Sequence, residues 1–192
     1  MKSLVLSIIF LLCVATSFSQ KVDVDSMAIY HKDSIMVTQY FQDKKGKNTL
    51  TIKMMNPCGL KNGPYDGPLS YIEASLKNKY ASQNVSYNYV DAQSGLLYFI
   101  KDEISINDVE GKKAVFIPFY YCGNWDNDNM VSYLIFYENK KYIEHVKYYC
   151  TDNGKCKLND NLQCKGMPTV LKTFFANTLK TKYKKASDLY RR

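Results

Sequence analysis

The chain has 192 residues, of which 46% are hydrophobic and 14% aromatic, and its formal net charge is +8. This apolar content excludes a disordered chain, because disordered chains lack the side chains needed to form a core. The length is enough for one domain with a substantial core and short for two.

The net positive charge lies at the C-terminal end. Residues 20–164 contain equal numbers of basic and acidic residues, whereas residues 165–192 are strongly basic and contain one acid, Asp188. Such a segment can attract an anionic membrane surface or an acidic partner, and nucleic acid is a poor candidate partner because the N-terminal segment, described next, predicts export. The positions that we assign to a membrane contact are Lys180, Lys182, Lys184, Lys185, Arg191 and Arg192. The simpler alternative is a solvated helix face with a frayed basic end.

The N-terminal segment has the pattern of a secretory signal peptide. Lys2 precedes an apolar run over residues 4–12, and small residues follow at Ser17 and Ser19. This pattern predicts cleavage before Gln20 and a mature protein that is secreted or periplasmic.

Two other interpretations of this segment stay open. A transmembrane anchor needs about 20 apolar residues, roughly twice the length of this run. A lipoprotein signal would make Cys13 the lipidated first residue, but bulky side chains occupy residues 10–12, where small ones are expected.

Turn residues divide most of the mature chain into short, apolar or alternating segments that are typical of strands. The segments in the first part are 27–31, 34–41 and 49–55. Those in the second part are 84–90, 96–106, 113–121, 130–138 and 141–149. The short connections between the latter predict an antiparallel meander. Pro118, within one of them, predicts a bulge or an edge.

Two segments show helical spacing of apolar residues, and each begins at a proline. Pro68 can open a short helix over 68–82, and Pro168 a longer one over 168–187. The first apolar stripe is Ile72, Leu76 and Tyr80, and the second is Leu171, Phe175, Leu179 and Tyr183. The second helix could lie on a sheet or on a membrane, and we favour the sheet because an apolar sheet face needs a cover.

These elements predict an α+β fold. It has an antiparallel meander sheet of about five to eight strands, flat or curled, with one short helix after the first strands and a C-terminal amphipathic helix packed on it. We expect residues 1–19 to be a signal peptide and 20–192 a single secreted domain with a basic tail at 180–192. The order strand–strand–helix–meander–helix resembles cystatin-like and helix-grip proteins in layout, and layout implies no function.

Five cysteines follow the expected cleavage site: Cys58, Cys122, Cys150, Cys156 and Cys164. An odd number leaves one thiol unpaired or pairs it between chains. Their spacings match no common zinc pattern, so we expect disulfides. In the predicted meander Cys122 and Cys150 lie about 9–10 Å apart, beyond the reach of a disulfide. We therefore expect Cys150 to pair with Cys156 or Cys164, and Cys58 to pair with Cys122.

The loops at one end of the predicted sheet collect polar side chains. Asn124, Asp126 and Asp128 alternate like the oxygen ligands of a calcium loop, although the usual Gly and the Glu at the twelfth position are missing. The competing interpretation is a β-turn whose Asn and Asp side chains cap their own backbone. Trp125 beside them is either a ligand contact or a plug on the core. The candidate ligand contacts are Trp125, Asp126, Asp128 and Asn153.

No catalytic or cofactor motif occurs in the sequence, so we expect no cofactor and, apart from the calcium candidate, no metal. The two histidines are His31 and His145, and Glu144 points to the opposite side of the strand from His145. The leading hypothesis is a non-catalytic secreted or periplasmic protein that binds a protein or carbohydrate through the loop end around Trp125. The alternatives are an envelope- or membrane-associated structural protein docked by its basic C-terminal helix, and a small secreted hydrolase.

Overall fold

The computed structural model describes residues 25–31, 34–57, 70–88, 97–121, 129–159 and 162–189. These residues form two antiparallel sheets and a C-terminal helix, stacked as three layers with the larger sheet in the middle. The fold is α+β with antiparallel sheets, as the sequence predicts. In the described residues neither sheet closes into a barrel.

The first sheet is a meander of five strands that follow one another in chain order. They are β1 (Asp25–His31), β2 (Ser34–Asp43), β3 (Gly46–Met55), β4 (Tyr71–Asn78) and β5 (Ser82–Asn88). Burial alternates along β3 and over much of β2, β4 and β5. This is the pattern of a sheet with one face on a core and one face in solvent.

The segment predicted as a helix over 68–82 contains strand β4, so that prediction was wrong. Ile72 and Leu76 are four residues apart, a spacing that puts side chains on one face of a helix and equally on one face of a strand. Ala74, midway between them, is also buried, which fits a period of two and no helix. Tyr80, the third residue of the expected stripe, lies exposed in the turn after the strand. Without this helix the chain no longer resembles the cystatin-like or helix-grip layout.

The second sheet forms the middle layer. Its strands are β6 (Leu97–Tyr98), β7 (Ser105–Val109), β8 (Lys112–Tyr121), β9 (Met130–Tyr137), β10 (Lys140–Cys150) and β11 (Cys156–Leu158). Their order is β11-β10-β9-β8-β6, and β7 also pairs with β8. From β7 to β11 the chain forms an antiparallel meander.

The start of this meander differs from the prediction. The segment predicted as strand 84–90 is β5, which pairs with β4 in the first sheet. The segment predicted as strand 96–106 divides into β6, a 3-10 turn (Lys101–Glu103) and β7. Strands β6 and β7 both pair with β8. Strand β7 pairs with the part of β8 before Pro118, and β6 pairs with the part after it. Among the described residues Pro118 therefore has a strand partner on one edge only, which suits a residue without an N–H.

Four rows of core-facing residues cross the first sheet from β2, three of them as far as β5 and the last as far as β4, and they change from apolar to polar along the strands. In order they are Ile35–Met54–Ile72–Tyr87, Val37–Ile52–Ala74–Val85, Gln39–Leu50–Leu76–Gln83 and Phe41–Asn48–Asn78. The first two rows share one buried cluster with Ile117, Phe119 and Leu134 of the second sheet. The sandwich core is therefore apolar at one end and partly polar at the other.

The other face of the second sheet is covered by α1 (Thr169–Lys182), followed by the short α2 (Ala186–Leu189). Leu171, Phe175 and Leu179 are buried against the sheet, as their spacing predicts. The ring of Phe175 stacks on Phe116 with centroids 5.5 Å apart. The C-terminal helix thus packs on the sheet. None of the helices that the structure describes combines the length and apolar content needed to cross a membrane.

Tyr183, at the C-terminal end of α1, fixes the helix to the sheet through its hydroxyl group. That hydroxyl lies 2.9 Å from the Tyr120 hydroxyl and 2.8 Å from the Tyr133 hydroxyl. Tyr120 also donates to the carboxylate of Glu103, which binds the Lys182 ammonium at 3.2 Å. Burial raises the pKa of Tyr120 and of Tyr133, so both phenols remain protonated donors at neutral pH.

A disulfide joins Cys150 to Cys156 and closes the turn between β10 and β11. Cys156 is one of the two partners expected for Cys150. Its backbone N–H donates to the Lys184 carbonyl at 2.9 Å, and Lys155 and Lys185 form an isolated antiparallel bridge. The segment after α1 is therefore held by this turn as well as by the sheet.

Replacing Tyr183 with Phe removes the hydroxyl that the Tyr120 and Tyr133 phenols share. We expect the free energy of unfolding to fall by about 1–3 kcal/mol, the usual cost of leaving buried polar groups without a partner. Urea denaturation followed by circular dichroism measures this change. The control Tyr80→Phe removes a hydroxyl from an exposed ring and should change stability by less than about 0.5 kcal/mol. Equal losses in the two variants would contradict the anchoring role of Tyr183.

Candidate functional site

Four tight turns meet at one end of the sandwich, which we call the hairpin end. They connect β2 to β3, β4 to β5, β7 to β8 and β9 to β10. Between these turns the two sheets leave an open pocket of about 340 Å³. The lining residues are Phe41, Asp43, Lys44, Lys45, Asn48, Leu76, Asn78, Gln83, Gly111, Lys112, Lys113, Phe136, Tyr137, Glu138 and Asn139.

Two of the turns on the second sheet have left-handed backbone conformations. Glu110 and Gly111 have φ angles of 51° and 74°, and Glu138 and Asn139 have φ angles of 50° and 63°. Two consecutive residues of this kind are typical of a type I′ turn, whose twist matches that of the strands it joins. Asp108 supports the first turn by accepting a hydrogen bond from the Gly111 N–H at 2.7 Å. Short turns of this kind fix the position of the pocket mouth.

Asn78 shapes the turn between β4 and β5. Its Oδ1 accepts hydrogen bonds from the backbone N–H groups of Tyr80 and Ala81, both at 2.8 Å. Its Nδ2 donates to Oδ1 of the buried Asn48 at 3.3 Å, and Asn48 in turn donates to the Gly46 carbonyl at 3.1 Å. The two carboxamides therefore hold two neighbouring turns together within the pocket wall.

The lining of the pocket combines apolar carbon with the side chain of a glutamine. Phe41, Leu76 and Phe136 supply apolar surface. Gln83 also lines the pocket, and its Oε1 is buried without a hydrogen-bond partner among the residues that the structure describes. A buried acceptor without a donor costs about 1–3 kcal/mol.

Gln39 provides an internal comparison for Gln83. Both lie in one cross-strand row, with Leu50 and Leu76 between them. Gln39 is 6% exposed, and its Oε1 also lacks a partner within the described ranges. Gln39 does not line the pocket, so the two glutamines share the same energetic cost while Gln83 is part of the pocket wall.

The mouth of the pocket is basic. Its lining contains four lysines, Lys44, Lys45, Lys112 and Lys113, and two carboxylates, Asp43 and Glu138, which gives a net charge of +2. The Lys112 ammonium pairs with Glu138. The Lys113 ammonium pairs at 3.2 Å with Asp108, which lies outside the lining.

The other two ammonium groups have no carboxylate within 4.0 Å among the described residues; they belong to Lys44 and Lys45. Lys44 Nζ reaches across the mouth towards Gly111 and lies 3.3 Å from the position that a Cβ there would occupy. Asp43 accepts a hydrogen bond from the Lys45 backbone N–H at 2.7 Å. Two cations without ion pairs make the mouth attractive to anions.

An exposed aromatic ring lies in the turn between β4 and β5, outside the pocket lining. Tyr80 follows the lining residue Asn78 by two positions, and 72% of its surface is exposed. Lys79 Nζ lies 5.7 Å from the centre of its ring. Aromatic rings of this kind provide contact surface for ligands.

The opposite end of the sandwich, which we call the loop end, is where the sequence placed the candidate site. Most of that site lies outside the described residues. The residues concerned are Trp125 with Asn124, Asp126 and Asp128, and the cysteines Cys58 and Cys122. In the ranges that are described, no group of three or more His, Cys, Asp or Glu side chains is arranged to hold a metal.

Asn153 is the one candidate ligand contact that the structure describes. It lies exposed in the turn between β10 and β11. Its Oδ1 accepts hydrogen bonds from the Thr151 hydroxyl and from the Lys155 N–H. These bonds are the local turn capping that Asn commonly provides.

Four polar side chains form a cluster just inside the loop end. The Tyr87 and Tyr121 hydroxyls lie 2.8 Å apart. Ser132 Oγ donates to the Tyr121 hydroxyl at 3.3 Å and lies 2.7 Å from His145 Nδ1. The Tyr87 and His145 rings are 5.2 Å apart, so the cluster joins β5 of the first sheet to the second sheet. Burial lowers the pKa of His145, which keeps its imidazole neutral at pH 7.

The contact between Ser132 and His145 does not present a nucleophile to solvent. Ser132 has no exposed surface, so a substrate cannot reach its Oγ. Glu144 lies on the opposite face of β10 from His145, as the alternation of a strand predicts. Glu144 Oε2 accepts the Cys164 N–H at 3.2 Å, and burial raises the pKa of this carboxyl.

Cys164 is a free, buried cysteine. Burial raises the pKa of its thiol to about 11. At neutral pH the thiol is therefore protonated, and reactive cysteines require the thiolate. Cys164 is part of the cluster that packs between the sheet and α1, which is a structural position.

The basic C-terminal residues do not behave as one group. Lys180, Lys184 and Lys185 are exposed, and Arg191 and Arg192 lie outside the described residues. Lys182 binds Glu103 at 3.2 Å and lies 5.2 Å from the centre of the Tyr183 ring. Its ammonium therefore contributes to the anchor of α1.

The sequence analysis missed the pocket at the hairpin end. The pocket depends on the register of four separate hairpins, which no local pattern specifies. One signal was present: had 70–88 been assigned as two strands, Gln83 would share a face with Val85 and Tyr87. A glutamine on the core side of an otherwise apolar face indicates either a buried polar contact or a cavity.

Comparisons with known proteins provide no functional assignment. A scan against protein-family models, a search of curated proteins and a search of solved structures each found no match to this chain. Any assignment of function therefore rests on the residues themselves.

Replacing Gln83 or Gln39 with Met removes an unpartnered buried oxygen and nearly preserves the shape of the side chain. We expect each substitution to raise the free energy of unfolding by about 1 kcal/mol, measured by urea denaturation without ligand. The control is Gln42→Met at an exposed position of β2, which should change stability by less than about 0.5 kcal/mol. A clear loss of stability in Gln83→Met would show that its carbonyl has a donor in solution and would remove the argument for a vacant acceptor.

Proposed function

We propose that this chain is an exported, non-catalytic binding protein that holds a small polar ligand in the hairpin-end pocket. The observation that carries the proposal is the open pocket of about 340 Å³, whose lining combines apolar carbon with polar side chains, among them Gln83, whose buried Oε1 has no donor among the described residues.

A role in binding explains the presence of glutamine at position 83 better than a role in folding does. An apolar side chain of the same shape would make the empty protein more stable. Residues that reduce stability and line a pocket are typical of sites whose cost is recovered when a ligand binds. Gln39 also has a buried Oε1 without a partner, although it does not line the pocket. The experiment must therefore distinguish an effect on ligand binding at Gln83 from an effect on stability, which both positions share.

The rest of the pocket supports the same proposal. Its volume of about 340 Å³ lies at the lower end of the range found for ligand sites. Such sites combine apolar lining with a few convergent polar groups. Here Phe41, Leu76 and Phe136 supply the first, and Gln83 with the lysines supplies the second.

Export is supported by two independent features. The N-terminal segment has the charge, apolar run and small residues of a signal peptide. Cys150 and Cys156 form a disulfide, and such bonds persist mainly in oxidising compartments.

The loop end around Trp125 is a second position where a ligand could bind. What supports it is the cluster of Tyr87, Tyr121, Ser132 and His145, which places polar and aromatic groups around Tyr121 at the end of β8. Docking on an envelope surface has less support, because the apolar face of α1 is already buried against the sheet.

Nuclear magnetic resonance of the isotope-labelled protein tests the proposal. When small polar fragments are added, we expect some of them to shift the backbone signals of Asn78, Gln83 and Gly111 more than signals at the loop end. Gln83→Phe, which fills the pocket, should abolish these shifts. Ser86→Phe, on the outer face of the same strand, should preserve them. Fragments that bind Gln83→Phe and the unmodified protein equally well, or no shifts at all, would contradict a pocket ligand.

Mass spectrometry of the protein expressed in its native host tests export. We expect an N-terminus at Gln20 and, in a non-reducing digest, a peptide crosslinked between Cys150 and Cys156. An intact Met1 together with reduced thiols would contradict export and leave the pocket proposal unaffected.

A further inference from the structure

We propose that the outer edge of β5, together with the exposed face of β10 and β11 beside it, binds an extended acidic segment of another protein, which adds a strand to the first sheet. The inference is independent of the pocket ligand, because the backbone groups and the exposed face concerned do not line the pocket.

The outer edge of β5 presents backbone groups that no neighbouring strand uses. In the part of the chain that the structure describes, β5 ends the first sheet and pairs with β4 only. The Asn78 N–H donates to the Ala81 carbonyl at 2.9 Å, so these two residues form a hydrogen-bonded pair at the turn. Bonded and non-bonded pairs alternate along an antiparallel ladder, which turns the N–H and C=O groups of every second β5 residue away from β4. These residues are Ser82, Asn84, Ser86 and Asn88.

Little protects this edge from pairing with another strand. β5 is seven residues long and contains no proline and no charged side chain, which are the usual protection of an exposed edge. Within the described ranges, one hydrogen bond reaches the outward backbone groups: Lys141 Nζ of β10 donates to the Asn84 carbonyl. This side chain is flexible and exposed, so the N–H of an added strand can take its place.

The second sheet continues past this edge as an exposed face, which we call the ledge. Its outward side chains are Lys141, Ile143, His145, Lys147 and Tyr149 of β10 and Lys157 of β11.

Two contacts define how β5 lies on the ledge. The Asn84 carbonyl binds Lys141, and the Tyr87 ring lies 5.2 Å from the His145 ring. Strand β5 therefore runs beside β10 in the same direction, and β11 lies one strand further out. A strand added to β5 would cover the ledge and direct alternate side chains at it.

The ledge exposes apolar carbon. Ile143 is 36% exposed and Tyr149 is 68% exposed. They are two of the four large hydrophobic residues that the structure describes as exposed. An added strand with apolar side chains at some of its inward positions would bury both.

The ledge also carries positive charge without a carboxylate. Lys141, Lys147 and Lys157 share this face, and none of its side chains is acidic. The exposed face of the first sheet differs, because Glu73 lies opposite Lys53 there. Charge complementarity therefore requires acidic side chains on the added strand. It also disfavours a second copy of this chain, since pairing two β5 edges would bring two basic ledges together.

Nuclear magnetic resonance of the isotope-labelled protein with synthetic heptapeptides tests the inference. The acidic probe is acetyl-Glu-Thr-Val-Thr-Glu-Thr-Val-amide, in which acidic and apolar side chains share one face. One control has Lys in place of Glu, and the other is the acidic sequence N-methylated at every residue. At low salt we expect the acidic probe to bind at least about tenfold more tightly than either control, because the first repels the ledge and the second lacks backbone donors.

Amide hydrogen exchange shows whether the probe adds a strand. In the free protein the outward N–H groups of Asn84 and Ser86 should exchange faster than the N–H of Val85, which pairs with β4. A saturating concentration of the acidic probe should slow exchange at Asn84 and Ser86 by at least about tenfold. Binding that leaves their exchange unchanged would overturn strand addition.

Charge reversal connects the preference to the ledge. Lys147→Glu with Lys157→Glu should make the Lys probe bind more tightly than the acidic probe. Lys47→Glu with Lys77→Glu makes the same change at exposed positions on the first sheet and should preserve the preference for the acidic probe. Equal effects of the two double substitutions would overturn the role of the ledge.

Three further results would also overturn the inference. Slow exchange of the Asn84 and Ser86 amides in the dilute free protein would show that another segment of the chain already covers the edge. Slow exchange that appears only at high protein concentration, together with a dimer in sedimentation, would make a second copy the occupant. Absence of binding by every probe would show that the edge accepts no strand.

Discussion

Strands β8 and β9 each contain seven consecutive buried residues, Ala114–Tyr120 and Val131–Tyr137. Successive side chains of a strand point to opposite faces, so both faces of these strands must be covered. One face is covered by the first sheet and the other by α1. The three-layer architecture follows from this requirement, since a sheet that is apolar on both sides cannot remain open to water on either.

The two covers are attached in different ways. The first sheet is held mainly by apolar rows, whose carbon contacts have little direction, and by one described cluster of hydrogen bonds that contains Tyr87 and Tyr121. The helix is held in addition by the hydroxyl groups of Tyr120, Tyr133 and Tyr183 and by the ion pair between Glu103 and Lys182. Hydrogen bonds and ion pairs form only within a narrow range of distances and angles, so these bonds fix the position of α1 along the sheet. The polar network therefore adds specificity to a layer whose stability comes largely from burial.

The sequence predicts an element well where its apolar residues fit only the spacing of a strand or only that of a helix. It predicts an element poorly where the same apolar residues fit both spacings. The meander of β8, β9 and β10 and the stripe of α1 were predictable because their apolar residues leave no competing pattern. Ile72 and Leu76 fit a helix and a strand equally, and the buried Ala74 is too small to decide between them. Because residues 68–82 were predicted to be a helix, β4 and β5 were not recognised as a hairpin of the first sheet. The inward position of Gln83 was therefore not recognised either. A pocket built from the registers of four hairpins cannot be inferred once a strand of one hairpin has been assigned as a helix.

The two ends of the sandwich differ in the length of their connections. At the hairpin end every turn described is short, and several are fixed by Asn or Asp side chains. The connections of 56–70, 89–96 and 122–129 all leave from the loop end. Short turns preorganise a site and so reduce the entropy lost on binding. A small ligand makes few contacts and has little binding energy to spend on ordering its site. The short, side-chain-capped turns therefore support the hairpin end as the position of a small ligand.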